Sequence, residues 1–412
     1  MTRIALLHYS GPPVIGGVEN TIAVHARMLV QAGFDVSVIV GSGKPFHPQV
    51  NVQVIPEIGS RHPRVISAGK ELAAGRLTQN FDELMEDILG LLRPALDSCD
   101  LVIVHNAITL HKNLALTAAL YSLTREKSRR FIAWCHDFAW LDELYIPELH
   151  PAFPWDLLRS PWPNVKYVVV SQHRRAMIAN LLQLPDSDIS VITPGVDVGE
   201  FLGLSPLVLS LIDKLDLLKS EPLMLLPARV TRRKNIEFAI RITACLKPYF
   251  PNPTLLVTGP PGPHNPKNQA YLDALNRTKA DLGLQERVIF LYEQGASGSH
   301  LELPYSAVSE LYRISDLLLF PSRREGFGIP ALEAGLARLP VVAASIPAIH
   351  ESMGEYATFF DPNGNPETVA KDIRIFLEGN TAYHLRRRTI NHYSWQSIFQ
   401  DRILPLIKEV VA

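Results

Sequence analysis

Short apolar runs alternate with helical stretches along almost the whole chain, and this alternation limits the fold more than any other feature. Five β-rich runs occur in the first half, at residues 3–10, 35–41, 100–106, 130–137 and 166–172. Five more follow in the second half, at residues 223–230, 254–261, 287–294, 316–322 and 339–345. Such runs are typical of parallel strands buried on both faces of a sheet. The pattern predicts two doubly wound α/β domains, with right-handed crossovers between strands.

The alternation of apolar runs and helical stretches is interrupted at residues 196–220, where polar and helical character are mixed. We place the domain junction there. The predicted N-terminal domain is 1–200 and the predicted C-terminal domain is 216–392. Ligands of open α/β sheets bind beyond the carboxyl ends of the strands. Two such domains facing each other are therefore expected to leave an interdomain cleft.

Composition excludes several other classes of protein. The 412 residues are 47% hydrophobic with a formal net charge of −1, so no overall basic field attracts nucleic acid. Three widely spaced cysteines, Cys99, Cys135 and Cys245, lack the pairing of a zinc site or a disulfide framework and favour a reducing, cytoplasmic setting. No apolar run reaches the roughly 18 residues of a membrane span, and none at the N-terminus resembles a signal peptide. Peripheral membrane contact stays open.

The segment REGFGIPALEAG, residues 324–335, has a carboxylate near each end. It follows a predicted strand, so Glu325 is expected in a loop, while Pro330 suits the first turn of a helix that contains Glu333. Amides around Phe327, Gly328 and Ile329 would lie at the helix N-terminus, where unpaired donors favour an anion. We expect both carboxylates to face one pocket there.

The longer phrase PSRREGFGIPALEAGLARLPVV, residues 321–342, resembles the signature of the retaining glycosyltransferases of family 4. That family has the GT-B fold of two facing Rossmann-like domains. The resemblance implies that Glu325 contacts donor-sugar hydroxyls and that Glu333 holds the ribose diol. An ionised carboxylate accepts two hydrogen bonds, which matches a vicinal diol. It also implies that the C-terminal helix, 393–412, packs back on the first domain.

A basic segment, PARVTRRKN at residues 227–235, resembles the family's arginine and lysine pair. The resemblance assigns Arg229 and Lys234 to the donor diphosphate. Two fixed cations would stabilise the charge that develops on the leaving group. The alternative is a solvated basic turn, because Arg232 and Arg233 lie alongside.

Two motifs in the first half resemble further family elements. Gly16 and Gly17, in GGVE after the first strand, would bring backbone amides close to the donor phosphates or the acceptor. His136, in WCHDFAW after another strand, corresponds to a histidine that reaches the transferred sugar, with Asp137 as its partner. A plain bend for the glycines and a structural cap for the histidine are the alternatives.

The acceptor side is expected in the long aromatic connection at residues 138–164. Trp140 and Tyr145, with Trp155 and Trp162, are candidates to stack on a sugar or to shield the reacting centre, and filling a small side core is the equal alternative. Tyr292 or Glu293 is a candidate for selecting the nucleobase.

No metal is expected. Asp186 and Asp188 form a DSD element that reads better as a turn with capping aspartates than as a metal ligand pair. Arg229 and Lys234 would replace the cation, so no cofactor is required beyond the donor itself, a UDP-, GDP- or ADP-sugar.

The resulting hypothesis is a retaining hexosyltransferase that moves a sugar from a nucleotide diphosphate to an acceptor hydroxyl. Its partners are then two small molecules. A sugar-nucleotide epimerase, a disaccharide phosphorylase or synthase, and a non-catalytic sugar-nucleotide-binding subunit remain as alternatives. The absence of GxGxxG after a strand disfavours an NAD dehydrogenase, and the absence of GxSxG disfavours a hydrolase.

Overall fold

A computed structural model describes residues 1–14, 16–126, 129–262, 267–295 and 299–411. The chain divides into two compact units. Unit 1 comprises Met1–Gly195 and Trp395–Ala412, and unit 2 comprises Val196–Ser394. Among the described residues, no helix is both long enough and apolar enough to span a bilayer.

Unit 1 is built on one seven-stranded parallel sheet. Its strands are β1 (Arg3–His8), β2 (Asp35–Val40), β3 (Val50–Val54), β4 (Leu101–His105), β5 (Arg130–Cys135), β6 (Val165–Val169) and β7 (Ile189–Val191). They lie in the order β3-β2-β1-β4-β5-β6-β7. Strand β1 lies inside the sheet, and Leu6 pairs with Val38 on one side and with Ile103 on the other. The chain therefore leaves β1 toward one edge and β4 toward the other, which opens a crevice at their carboxyl ends.

The helices of unit 1 cover both faces of this sheet. They are α1 (Gly17–Gln31), α2 (Pro63–Ala73), α3 (Gln79–Leu96), α4 (Leu114–Thr124) and α5 (Gln172–Leu182). Short 3-10 helices connect them at Pro56–Ile58, His111–Asn113, Ala139–Leu141, Ile146–Glu148, Trp155–Arg159 and Asp186–Asp188. Two apolar cores result, one on each face of the sheet.

Unit 2 repeats the arrangement with six parallel strands. They are β8 (Leu223–Leu226), β9 (Thr254–Val257), β10 (Val288–Phe290), β11 (Leu317–Phe320), β12 (Val341–Ala344) and β13 (Thr358–Phe360). Their order is β10-β9-β8-β11-β12-β13, so the crevice lies at the carboxyl ends of β8 and β11.

The helices of unit 2 again flank the sheet on both faces. They are α6 (Val198–Leu202), α7 (Pro206–Leu215), α8 (Ile236–Leu246), α9 (Lys267–Asp281), α10 (Tyr305–Ile314), α11 (Ile329–Leu336), α12 (Pro347–Met353), α13 (Pro366–Glu378) and α14 (Thr381–Tyr393). In the described part of unit 2, 3-10 helices lie at Leu217–Lys219, Arg232–Lys234 and Leu291–Gln294. After α14 the chain re-enters unit 1 through α15 (Trp395–Ile398), a π-helical turn (Phe399–Ile403) and α16 (Leu404–Val411).

The predicted fold class, two Rossmann-like doubly wound α/β domains, is confirmed by these two sheets. The unit limits differ from the predicted domain boundaries at 200 and 216. Residues 196–215 belong to unit 2. The reason is apolar packing, because Val208, Leu211 and Ile212 of α7 are buried in a core of unit 2.

A buried carboxylate ties α14 to the sheet of unit 2. The side chain of Asp316 is fully buried, and its Oδ2 accepts a 2.8 Å hydrogen bond from the amide of Leu223 at the start of β8. Arg387 Nη1 lies 3.6 Å from Oδ2, and Arg386 Nε lies 3.7 Å from Oδ1. Arg386 also donates to the backbone carbonyl of Arg313, and Arg387 donates to that of Leu218.

We predict that Asp316→Ala destabilises unit 2 by about 3 kcal/mol, because removing this partner leaves the buried Arg387 guanidinium and the partly buried Arg386 guanidinium uncompensated. Hydrogen exchange of the β8 amides measures the effect. Glu378→Ala, which breaks the exposed Arg374–Glu378 pair, is the control and should leave β8 protection unchanged. Equal protection in both variants would contradict the assignment.

A histidine stands in an aromatic cage within the core of unit 1. His25 of α1 is 1% exposed. Its ring packs edge-on against Trp134, at 4.7 Å between centroids, and against Trp395, at 5.4 Å. Burial lowers the pKa of His25 from 6.5 to about 3, with a smaller contribution from His136. The imidazole is therefore neutral in the folded protein near pH 7.

We predict that this histidine makes unit 1 acid-sensitive. Its folded pKa lies below the unfolded value, so the unfolded chain binds the extra proton as pH falls. The contribution of neutral His25 to the free energy of unfolding is fully present above pH 6.5. It is lost on acidification, by about 1.4 kcal/mol per pH unit between pH 6.5 and the folded pKa. His25→Phe should reduce that slope. Urea unfolding followed by tryptophan fluorescence at pH 7, 6 and 5 measures it, and an unchanged slope in the variant would oppose the prediction.

Candidate functional site

The loops after β8 and β11 meet at the crevice of unit 2. The first contains the 3-10 helix Arg232–Lys234, and the second precedes α11. The amide of Arg323 donates a 2.9 Å hydrogen bond to the carbonyl of Arg233, which joins the two loops. Asn235, at a left-handed φ of 52°, donates from Nδ2 to the carbonyl of Pro362 and fixes the end of the first loop.

An ion pair crosses between these loops. Lys234 Nζ donates to Glu325 Oε1 at 2.5 Å, and the two side chains are only 9% and 8% exposed. Arg233 Nη1 donates to Glu325 Oε2 at 3.1 Å. Burial by itself favours a higher pKa for Glu325, but the Lys234 hydrogen bond and the nearby cations outweigh it and lower the pKa. The carboxylate is therefore held ionised, with lone pairs left to accept hydroxyl donors.

Arg229 lies apart from this pair. Its side chain is exposed, and it forms no ion pair with any residue in the described part of the chain. Its backbone is close-packed, because a Cβ on Gly259 would lie 2.8 Å from the amide nitrogen of Arg229. The second cation on Glu325 is Arg233, which was not assigned to the site from the sequence and entered only in the alternative of a solvated basic turn. Only the loop-to-loop contact reveals it.

The turn before α11 depends on a glycine. Gly328 caps the helix at φ 98°, where an L side chain is strained, and a Cβ there would lie 3.2 Å from Ser352 Oγ. Phe327 and Ile329 flank it with side chains 43% and 61% exposed. The helix N-terminus with its unpaired amides therefore opens beside two exposed apolar side chains.

Glu333 has different surroundings from Glu325. Its Oε1 accepts a hydrogen bond from Tyr305 Oη at 2.7 Å, and its Oε2 accepts one from Tyr312 Oη at 2.6 Å. Burial raises the pKa of Tyr312, and the Glu333 contact raises it further, so the phenol remains a donor. Each carboxylate oxygen keeps one lone pair for a further donor.

A pocket of about 230 Å³ opens beside Glu333. Its lining comes from α10 and α11 and includes Tyr305, Ser309, Tyr312, Arg313, Glu333 and Leu336. Glu325 is not part of that lining, so the expectation that both carboxylates face one pocket is not met at this pocket. The sequence analysis missed the two tyrosines, since their seven-residue spacing on α10 becomes informative only once α10 packs beside α11.

The glycine pair in unit 1 leads into α1. A Cβ on Gly16 would lie 2.1 Å from Glu19 Oε2, whereas one on Gly17 would meet no atom within 4 Å. Glu19 accepts a 2.5 Å hydrogen bond from Ser10 Oγ, which binds the helix start to the end of β1. A side chain at position 16 would therefore have to displace the Glu19 carboxylate, and Glu19, the acid of the same GGVE motif, is a structural member of the turn.

His136 and Asp137 are held by a neighbouring asparagine at the end of β4. Asn106 has a left-handed φ of 59°, and its Oδ1 accepts hydrogen bonds from the amides of His136 and Asp137, at 2.7 and 3.3 Å. The Nε2 atom of His136 lies 3.3 Å from Nδ1 of His105. Burial lowers the pKa of His136 to about 4, although Asp137 opposes this. The sequence analysis missed Asn106, whose signal is an asparagine at a strand end that needs positive φ.

The aromatic connection divides into core and rim. Trp155 and Trp162 are 3% and 4% exposed and pack in a core of unit 1, so of the two alternatives they fill a core and are not placed to stack on a sugar. Trp140 is half-buried, with Arg159 over its ring at 4.2 Å. Tyr145 carries Lys112 over its ring at 4.3 Å. Both rim rings thus have a cation on one face.

The remaining candidates are placed as follows. Asp186 lies 3.4 Å from Arg175, and within the described ranges no group of three or more histidine, cysteine or acidic side chains is arranged to hold a metal. Tyr292 stacks on His300 at 4.0 Å, and Glu293 accepts a 2.9 Å hydrogen bond from Asn276. Residues 296–298, which follow in the sequence, lie outside the described residues.

Comparison with known proteins gives matches over both units. Residues 15–200 match the model of glycosyltransferase family 4, and residues 210–393 match that of glycosyl transferases group 1. An uncharacterised glycosyltransferase of Methanocaldococcus jannaschii is 25% identical over 97% of each chain. The mannosylglucosylglycerate synthase of Thermotoga maritima is 25% identical over 82% of this chain and 80% of its own.

The solved structures that are similar include HepE from Anabaena in complex with UDP-glucose. It is 18% identical, covers 99% of this chain and 100% of its own, and gives a TM-score of 0.36.

The two family models, together with the two Rossmann-like parallel sheets that they span, lead to one conclusion: the chain belongs to the family 4 glycosyltransferases of the GT-B fold class, and it is a transferase.

Proposed function

We propose that the protein is a retaining hexosyltransferase, active in the cytoplasm, that uses a nucleotide diphosphate sugar and needs no metal. The observation that carries the proposal is the buried Lys234–Glu325 pair at the crevice of unit 2, where the carboxylate is kept ionised beside two cations. Such a carboxylate suits sugar hydroxyls, and the lysine suits phosphate.

In this proposal unit 2 holds the donor. Lys234 has three N–H donors, of which one is used by Glu325, so two are left for diphosphate oxygens. Arg229 is unpaired in the described structure and supplies the second positive charge. The amides at Phe327, Gly328 and Ile329 add partial positive charge at the start of α11. Glu325 then accepts hydroxyl groups of the sugar.

The ribose is assigned to Glu333. Its two oxygens each keep one lone pair beyond the tyrosine hydrogen bonds, at a spacing that suits a vicinal diol. The 230 Å³ pocket beside it is large enough for part of a nucleoside.

We assign the acceptor to unit 1. In this assignment the backbone at Gly16 and Gly17 and the side chains of His136 and Asp137 contact the acceptor. Trp140 and Tyr145 lie at the rim of its site. A relative named mannosylglucosylglycerate synthase supports an acceptor that carries several hydroxyls.

The proposed reaction needs no protein nucleophile. The acceptor oxygen bonds to the anomeric carbon while the bond from that carbon to the diphosphate oxygen breaks, and the acceptor proton passes to a phosphate oxygen of the leaving group. Arg229 and Lys234 stabilise the negative charge that develops on the departing nucleotide diphosphate, which is why they act on the transition state more than on the ground state. Retention follows from attack on the face that the phosphate leaves.

We predict that UDP, GDP or ADP raises the melting temperature of the protein, and that Glu333→Ala weakens this binding at least tenfold. The reason is the loss of charge-assisted hydrogen bonds, each worth about 1.5–3 kcal/mol. Thermal-shift titration gives the affinities. Glu351→Ala, an exposed glutamate of α12, is the control and should bind like the unmodified protein. No response to any of the three nucleotides would oppose the proposal.

Turnover should fall by about 10²–10³ in Arg229→Ala, while nucleotide affinity changes little. Arg232→Ala is the matched control, because Arg232 lies over the ring of Tyr271 at 4.9 Å and is not assigned to the donor. Product analysis with each donor sugar measures transfer.

Turnover should also persist in EDTA, because no metal is needed in the proposed reaction. Loss of transfer on chelation with recovery by magnesium or manganese would overturn metal independence. Release of epimerised or free sugar without an acceptor would favour an epimerase, and dependence on inorganic phosphate would favour a phosphorylase.

A further inference from the structure

Four histidines lie together at the carboxyl ends of the central strands of unit 1. His8 ends β1, His105 ends β4, His136 follows β5, and His25 comes from α1. The rings of His105 and His136 are stacked at 5.6 Å, and the rings of His25 and His105 are 5.7 Å apart. The proposed reaction uses His136 alone, so the group behind it requires a separate explanation.

The hydrogen bonds in this group limit which ring nitrogens carry protons. A backbone carbonyl only accepts, so His8 Nδ1 donates to the carbonyl of His105 at 2.9 Å. Between His105 Nδ1 and His136 Nε2, 3.3 Å apart, one nitrogen must donate and the other must accept if both rings are neutral. Burial lowers the pKa of both rings, which keeps them neutral near pH 7.

Burial decides between the two directions. His105 is fully buried, and its Nε2 has no hydrogen-bond partner among the described residues. If His136 donated, His105 would carry its proton on Nε2, which would bury an N–H without an acceptor. In folded proteins, a buried N–H group without an acceptor is rarer than a buried acceptor atom without a donor. The favoured state therefore has the proton of His105 on Nδ1, donated to His136.

We propose that His105 is a positioning residue for His136, holding it as the Nδ1–H tautomer, so that His136 presents a hydrogen-bond donor to the substrate and not a base. In the described part of the chain, His136 Nδ1 has no partner, and the residue is only partly buried. Asn106 fixes the backbone of His136 at the same time, so both the position and the tautomer of the ring are set from β4. The role of His136 toward the substrate rests on the proposed glycosyl transfer, whereas its tautomer does not depend on that proposal.

Histidine nitrogen NMR tests the inference without any need for activity. In the unmodified protein, the His136 signals, assigned by their loss in His136→Gln, should show protonated Nδ1 and bare Nε2 at pH 7. In His105→Phe, which keeps a stacked ring but has no donor, His136 should shift toward Nε2–H. His105→Asn returns an N–H near the position of Nδ1 and should restore the original pattern. A His136 that is Nε2–H in the unmodified protein would overturn the inference even if no variant folds.

Kinetics give the second readout. His105→Phe should lower kcat about tenfold through the loss of one oriented hydrogen bond, with nucleotide affinity unchanged and with partial recovery in His105→Asn. His25→Phe is the control, because His25 is equally buried and contacts His105 but forms no hydrogen bond to His136. Its tautomer signals and kcat should match those of the unmodified protein.

The outcomes separate the two proposals. If no donor and acceptor pair gives transfer, the proposed function fails while the NMR result still decides the tautomer. If transfer occurs but His105→Phe leaves both the His136 signals and kcat unchanged, the positioning role alone is wrong. If His25→Phe alters the His136 signals as strongly as His105→Phe does, the effect is one of packing, and the proposal is rejected.

Discussion

Parallel pairing of β1 with β4 and of β8 with β11 is the constraint on which the candidate site depends. In unit 1, β1 pairs with β2 on one side and with β4 on the other. In unit 2, β8 pairs with β9 on one side and with β11 on the other. Connections leave those strands in opposite directions, so the loops after them are not filled by a crossover helix. The glycine turn and Asn106 lie at this point in unit 1, and Lys234 and Glu325 lie there in unit 2.

The two glutamates of the 324–335 segment show how different settings give one residue type different properties. Glu325 is enclosed and relies on Lys234 and Arg233 for its charge. Glu333 is only partly buried and is bridged by two phenols, which donate without adding charge. The first arrangement suits contact with a substrate close to a diphosphate. The second suits neutral hydroxyl groups, since it leaves the carboxylate charge uncompensated.

Sequence reasoning recovered the strands that are buried on both faces, because a continuous apolar run is a strong signal. It extended several of them too far. The run 223–230 includes β8 only to Leu226, and the residues after it form the loop that carries Arg229. It did not identify β3 or β13, whose partly exposed residues lack such a run. The fold class and the loops that carry the motifs were thus predictable.

Contacts between motifs were not predictable to the same degree. The partnership of Arg233 with Glu325, the tyrosines on Glu333 and the hydrogen bond between His105 and His136 all join residues from different loops or helices, 21 to 92 positions apart. Such pairs depend on how elements pack, and a single sequence carries no local signal for them. Trp155 and Trp162 illustrate the converse, since aromatic composition alone does not separate a core side chain from a binding surface.

The return of the chain to unit 1 after unit 2 has a consequence for biosynthesis. Trp395 and Phe399 complete a core that begins with β1 and α1, yet the ribosome makes them only after the whole of unit 2. Unit 2 is a continuous stretch and is complete once residue 394 is made. Part of the apolar surface of the nascent first unit stays uncovered until then, so its maturation is coupled to the synthesis of the segment that follows unit 2.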